Sequence, residues 1–125
     1  MAKFIADVVT DLAANKIATC TRVSICSSQP ANFAAIAAAS LGNYTLTAGS
    51  GSGDWLIADG DVSGRKMTLL AQSGNNASAS GTADHLAFDD GSTLLAVSTI
   101  TSKAVTSGEP FSINALDVAE WRDPT

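Results

Sequence analysis

Histidine occurs once, cysteine twice and proline three times in this chain of 125 residues, and only 15% of the residues are charged. A structural zinc site needs Cys and His ligands clustered at short spacings. One histidine far along the chain from Cys20 and Cys26, neither in a C-x-x-C pair, makes no such set. His85 has Asp84 beside it and serines elsewhere, which invites a triad. However, no G-x-S-x-G elbow presents a nucleophile, and neighbours on a strand point to opposite faces. His85 therefore reads as structural and the protein as a non-enzyme, with no catalytic, cofactor-binding or metal-ligating residue to name. The basic residues are equally sparse: Lys3, Lys16, Arg22, Arg65, Lys66, Lys103 and Arg122 stand against 12 acidic ones for a net charge of −5. All but one pair are scattered, whereas a phosphate-binding stripe needs clustered positive charge. Direct contact with nucleic acid is not expected.

Long apolar runs are absent as well. No stretch approaches membrane-spanning length, and Asp7 and Asp11 interrupt the place in MAKFIADVVTDLAANKI where a secretory apolar region would lie. The protein is expected to remain where it is made, without a membrane partner. On one extended strand Cys20 and Cys26 would lie about 20 Å apart at about 3.3 Å per residue, too far to bond to each other without a fold-back. They read as two packed thiols, with a covalent link to another subunit as the minor alternative.

What the chain has in quantity is small and apolar side chains, 46% of it being hydrophobic. The length suits one domain with one core, and with charge scarce its surface must be small and neutral, which suits close packing against neighbours. Near the N-terminus Phe4, Val8 and Leu12 recur every four residues, flanked by Ile5, Val9 and Ala13, while Lys3, Asp7, Asp11 and Asn15 fall on the other side. This predicts an amphipathic helix over 1–16. From Ile17 the alternation in IATCTRVSICS predicts a strand, with Thr19, Thr21, Val23 and Ile25 on one face. SSQPANFAAIAAASLG predicts a short helix near 30–41, opened by Ser28 or Gln29 ahead of Pro30 and closed by Gly42.

Beyond Gly42 the runs YTLTA, DWLIA, RKMTLLAQ, ADHLAFD, TLLAVSTI and FSINALDVAEW are separated by Gly, Ser, Asn and Asp clusters. DDGS (89–92) is a hairpin signal, and GSGSGD (49–54) reads as a mobile loop tip. The fold class expected is mainly β: an antiparallel β-sandwich or barrel in a single domain, 1–125, with the N-terminal helix and one short further helix.

IADGDVSGRKM (57–67) raises a calcium question, since Asp59, Asp61, Ser63 and Gly64 have the spacing that opens an EF-hand loop. Counted from Asp59, the twelfth position is Leu70, where a bidentate glutamate is required. The flanks read as strands, and Arg65 and Lys66 add positive charge. A turn between two strands explains the same residues: carboxylates that bond their own backbone, and glycines that permit positive φ. In the second strand Lys66, Thr68, Leu70 and Gln72 would then share one face, and Arg65, Met67, Leu69 and Ala71 the other. Trp55, Trp121 and Tyr44 are the residues from which a sugar-stacking platform would be built, although core packing and subunit contact are commoner uses of large aromatics.

WLIADGDVSGRKMTLLAQSG (55–74), SGTADHLAF (80–88), TLLAVS (93–98) and EWRDP (120–124) together resemble a family of small virion proteins of tailed bacteriophages. The N-terminal helix and CSSQP (26–30) look like the same family, so the resemblance spans the chain from about residue 3 onward. GSGSG before Trp55 departs from the pattern. The resemblance implies a β-sandwich subunit that assembles onto the particle, either as a capsid decoration or minor capsid protein or as a collar, neck or tail component. It brings no catalytic residues. A homo-oligomer bound to the major capsid protein or neighbouring virion proteins is expected, located in the virion after assembly in the host bacterial cytoplasm. Candidate subunit contacts are Phe4, Val8, Leu12, Trp55 and Trp121, and candidate intersubunit thiols are Cys20 and Cys26. A glycan-binding or adhesin module is the alternative from another class.

Overall fold

The computed structural model describes residues 5–51 and 53–123. The protein is mainly β, with antiparallel sheets and two helices, one of them N-terminal. Its elements are α1 (Asp7–Ile17), β1 (Arg22–Cys26), α2 (Phe33–Ala39), β2 (Ser40–Thr45), β3 (Trp55–Asp59), β4 (Arg65–Leu69), β5 (Gln72–Asn76), β6 (Gly81–Asp89), β7 (Leu94–Val105), β8 (Pro110–Ile113) and β9 (Leu116–Trp121). They fall into two compact units. The first comprises the described residues of Met1–Thr19, Thr47–Ala71 and Asn114–Thr125, and the second Cys20–Leu46 and Gln72–Ile113.

The second unit is built on a sheet of order β2-β1-β6-β7 and a ribbon of β5 and β8. β1 is central, paired along both edges, and both of its faces are covered as well: Val23, Ser24, Ile25 and Cys26 are all buried. Alternation sorts the neighbours. Val23 pairs with Tyr44 and Phe88, and Ile25 with Gly42 and Leu86, on the face that receives the ribbon. There Phe111 of β8 lies against Tyr44, with ring centroids 4.8 Å apart, and the Tyr44 hydroxyl donates to the Phe111 carbonyl. On the other face Ile36 and Ala39 of α2 pack on Cys26 and Ala87. The β6–β7 hairpin turns through Asp90–Thr93, as DDGS predicts. Gly91 has φ +95°, and an Asp90 carboxylate oxygen accepts the N–H groups of Ser92 and Thr93 at 3.0 and 2.8 Å.

The first unit is a sheet of order β3-β4-β9 carrying α1. Trp55, Met67 and Leu69 are its fully buried large side chains. β3 and β4 form the hairpin expected of residues 57–67, with Asp59 opposite Arg65 and Trp55 opposite Leu69.

Several elements differ from the sequence reading. α1 runs to Ile17 and the next strand starts only at Arg22, because the helix keeps its hydrogen bonds through Ala18, whose N–H donates to the Ala14 carbonyl at 2.9 Å. α2 is capped by Asn32, whose carboxamide oxygen accepts the Ala35 N–H at 3.0 Å. At its other end Ser40 is already extended at φ −70°, ψ 133°. Gly42 is therefore not a helix terminator. It lies in β2, where a Cβ would come within 2.8 Å of the Phe111 ring, so glycine is required there for close approach. FSINALDVAEW is two strands of different sheets, and QSGNN, which has no alternating apolar signal, is the ribbon strand β5. At the ends of the 49–54 stretch, the Gly49 N–H donates to the Ala18 carbonyl at 2.9 Å and the Thr47 N–H to Asp54 Oδ2 at 2.6 Å.

Candidate assembly surfaces and polar clusters

α1 carries Asp7 in its first turn and Lys16 in its last, each favourable to the helix dipole. The residues it buries are small, Thr10 and Ala14, and Asp11 on the same side meets Arg65 Nε of β4 at 2.9 Å. Seated by that face, the helix turns its large apolar side chains outward, with Val8 68% and Leu12 69% exposed and Val9 and Ile5 beside them. Periodicity identifies residues that share a face, but not whether that face meets its own chain. Here the seated face is the one carrying the carboxylate for Arg65. Leu56, Val62 and Leu70 are also exposed, so every exposed large hydrophobic among the described residues belongs to this unit.

The β3–β4 turn is closed by the Gly60 N–H donating to the Gly64 carbonyl at 2.9 Å. Gly64 has φ +71°, and a Cβ there would collide with the Trp121 carbonyl oxygen. The carboxylates that suggested calcium face cations instead. Asp59 bonds Arg65 and Asp61 bonds Lys66, each at 2.8 Å, while Asp117 lies 3.5 Å from Lys66. Glu120 Oε1 accepts the Asp61 N–H at 3.0 Å. Hydrogen bonds donated to Asp11 and then to Asp59 raise the pKa of Arg65, and the hydrogen bond donated to Asp61 does the same for Lys66. Met67 and Leu69 are buried while Lys66 and Thr68 are partly exposed, as alternation along this strand predicts.

Two of the three candidate platform aromatics are core residues. Trp55 is 0% exposed and Tyr44 is buried, so both are core residues, and neither a subunit contact through Trp55 nor a sugar platform on either ring is on offer. Their neighbours explain why: Trp55 lies opposite buried Leu69, and Tyr44 is held by Phe111. Trp121, on β9, is half-buried. Phe4 lies outside the described residues.

In the second unit, Asp84 Oδ1 lies 2.6 Å from His85 Nδ1, although adjacent strand residues should diverge. A bulge explains the meeting. Ala83 pairs with Lys103 and His85 with Thr99, so Asp84 faces three residues of β7. Cys26 is the cross-strand partner of His85 on β1. The cluster is not a nucleophile with its base. Cys26 is fully buried, and its thiol is pushed up to about 11, first by burial and then by the Asp84 charge, with Arg22 opposing. At neutral pH it is a thiol, resting 3.7 Å from the Ser24 carbonyl. Cys20 is fully buried too, so neither sulfur is presented to another subunit.

Arg22 ends this set. Its Nε donates to Asp89 Oδ2 at 2.8 Å, and its guanidinium carbon lies 5.8 Å from the centre of the Phe33 ring. Asp89 is fully buried, and its other oxygen accepts the Gly91 N–H at 3.0 Å. A groove of about 420 Å³ beside α2 is lined by Arg22, Ser24, Phe33, Ile36 and Asn43 among others. No group of three or more Cys, His, Asp or Glu is disposed to hold a metal ion, and no helix is long and apolar enough to cross a membrane, both among the described residues. No family model, curated protein or solved structure matches this chain.

Proposed function

We propose that this protein is a structural virion protein of a tailed bacteriophage, a capsid decoration or minor capsid protein that assembles on the head surface as a symmetric oligomer. The observation that carries the reading is α1. A short helix fixed by an ion pair and two small residues holds Val8, Val9 and Leu12 in solvent, an arrangement costly for a solitary protein and suited to one that docks. Its partner in this reading is the major capsid protein or a neighbouring virion protein, met in the host cytoplasm during assembly. The protein works by shape and burial, without a cofactor and without chemistry at His85 or Cys26. Its net charge of −5 disfavours capture by packaged DNA. The sequence resemblance supplies the particle, and α1 supplies the surface.

Binding to purified empty heads tests this. The protein should saturate the heads at a fixed ratio to the major capsid protein, and Leu12→Asp should abolish binding. Recovery only in neck or tail fractions would move the protein to a collar or tail position, and binding to neither would end the virion reading. A glycan-binding role gains nothing from Trp55 or Tyr44, whose rings are buried.

A further inference from the structure

Ser24 is an anomaly in the core of the second unit. It is 1% exposed, yet its Oγ makes no hydrogen bond among the described residues, whereas buried hydroxyls are ordinarily paired because the water they lose is costly to leave unreplaced. Ser24 also lines the groove of about 420 Å³ beside α2, a size within the range of about 300–1,000 Å³ that receives small molecules. One wall of this groove is polar. Arg22 and Ser24, two apart on β1, share a face of the sheet with Asn43, which lies opposite Ser24 on β2. The other wall is apolar and consists of Phe33, Ile36 and Ala37, at helical spacing on α2. Arg22 is the one charged residue lining the groove among the described residues. Its Nε donates to Asp89, while its two terminal nitrogens make no hydrogen bond among the described residues. The side chain is 37% exposed, which keeps those donors within reach of a ligand. A water molecule would answer the Ser24 hydroxyl but leave the apolar wall wet.

We propose that this groove binds a small carboxylic acid with a short apolar chain. The carboxylate takes hydrogen bonds from the Arg22 guanidinium and the Ser24 hydroxyl, and the chain lies along Phe33, Ile36 and Ala37. A carboxylate is favoured over a neutral acceptor because a guanidinium fork matches its two oxygens and the bonds are charge-assisted. It is favoured over phosphate because Arg22 is already shared with the buried Asp89 carboxylate, which leaves too little positive charge for a multiply charged ion. The apolar wall sets the rest of the ligand, since a bare carboxylate would leave Phe33 and Ile36 without a partner. The groove belongs to the second unit and α1 to the first, so this site does not rest on the virion reading.

The test is a titration of the full chain with hexanoate, read from amide chemical shifts. Amides of residues 22–24 and 33–43 should move saturably. Hexanamide, which keeps the chain and loses the charge, should bind about tenfold more weakly, and inorganic phosphate should not displace hexanoate. Ser24→Ala should weaken hexanoate binding about fivefold or more without lowering the thermal midpoint, because no group of the protein loses a bond. Ala37→Leu, at an exposed helical position, should fill the groove and abolish binding. Absence of saturable shifts at these residues, equal binding of hexanamide, displacement by phosphate, or wild-type binding by Ala37→Leu would overturn the site. So would a Ser24→Ala variant that melts lower and binds as before. If Ser24→Ala fails to fold, Ala37→Leu decides. A protein that binds hexanoate and no heads would sink only the virion reading, and one that decorates heads without binding hexanoate would sink this site alone.

Discussion

The two units solve the burial problem in opposite ways. The second covers both faces of its sheet, Val23, Ile25, Leu86 and Phe88 under the ribbon and Cys26 and Ala87 under α2, and sets the Arg22–Asp89 ion pair, with Asp89 fully buried, on the α2 face. The first has a small core around Trp55, Met67 and Leu69, holds its hairpin with exposed ion pairs, and leaves Val8, Val9 and Leu12 outside. Large apolar side chains are left in solvent only where the core is small, and in the proposed reading these are the ones that meet the particle.

The comparison breaks most sharply at the charged pairs. Arg22→Ala strands the fully buried Asp89 carboxylate and should cost about 3 kcal/mol in urea unfolding, whereas Arg65→Met leaves Asp11 and Asp59, both still reached by water, and should cost about 1 kcal/mol. Equal losses would contradict the assignment of one pair to the core and the other to the surface. Gly42→Ala comes next. Its Cβ would meet the Phe111 ring at 2.8 Å, and a loss of about 1–3 kcal/mol is expected from the forced shift of the ribbon. A thermal midpoint unchanged by Gly42→Ala would mean that the ribbon is not seated on the sheet.

Alkaline pH sharpens the picture of the second unit. The folded Cys26 keeps its proton up to about 11, while in the unfolded chain the thiol ionises near 9.0. Between these values the unfolded state binds fewer protons, so stability should fall as pH rises through that window and be fully present below it. Cys26→Ala should flatten the slope; an unchanged slope would assign the loss to other groups. Smallest of all is the expected effect of Leu12→Asp or Val8→Asp on stability, within about 0.5 kcal/mol. A large loss there would mean that α1 packs by its apolar face after all.

Much of this was legible in the sequence where local chemistry decides. DDGS and the 57–67 stretch declared their hairpins because Asp and Gly have few other uses between apolar runs, and Met67 and Leu69 declared the buried face of β4. What stayed hidden depends on partners distant in the chain. Gly42 looks like a helix stop until Phe111 is seen beside it. QSGNN has no strand signal because its stability comes from pairing with β8. The His85–Asp84 contact needs a bulge that no pattern announces. Val8 and Leu12 stood out as contact candidates from their spacing, but the face by which α1 is seated did not: the period belongs to α1, whereas its seating depends on Arg65 of β4.

In the proposed reading the apolar face of α1 meets the particle. A cryo-EM map of heads carrying this protein tests it most directly. The result predicted is repeated copies at fixed sites on the capsid surface, with Val8 and Leu12 against capsid protein. Copies attached with α1 facing solvent, or heads that carry no such density, would contradict it.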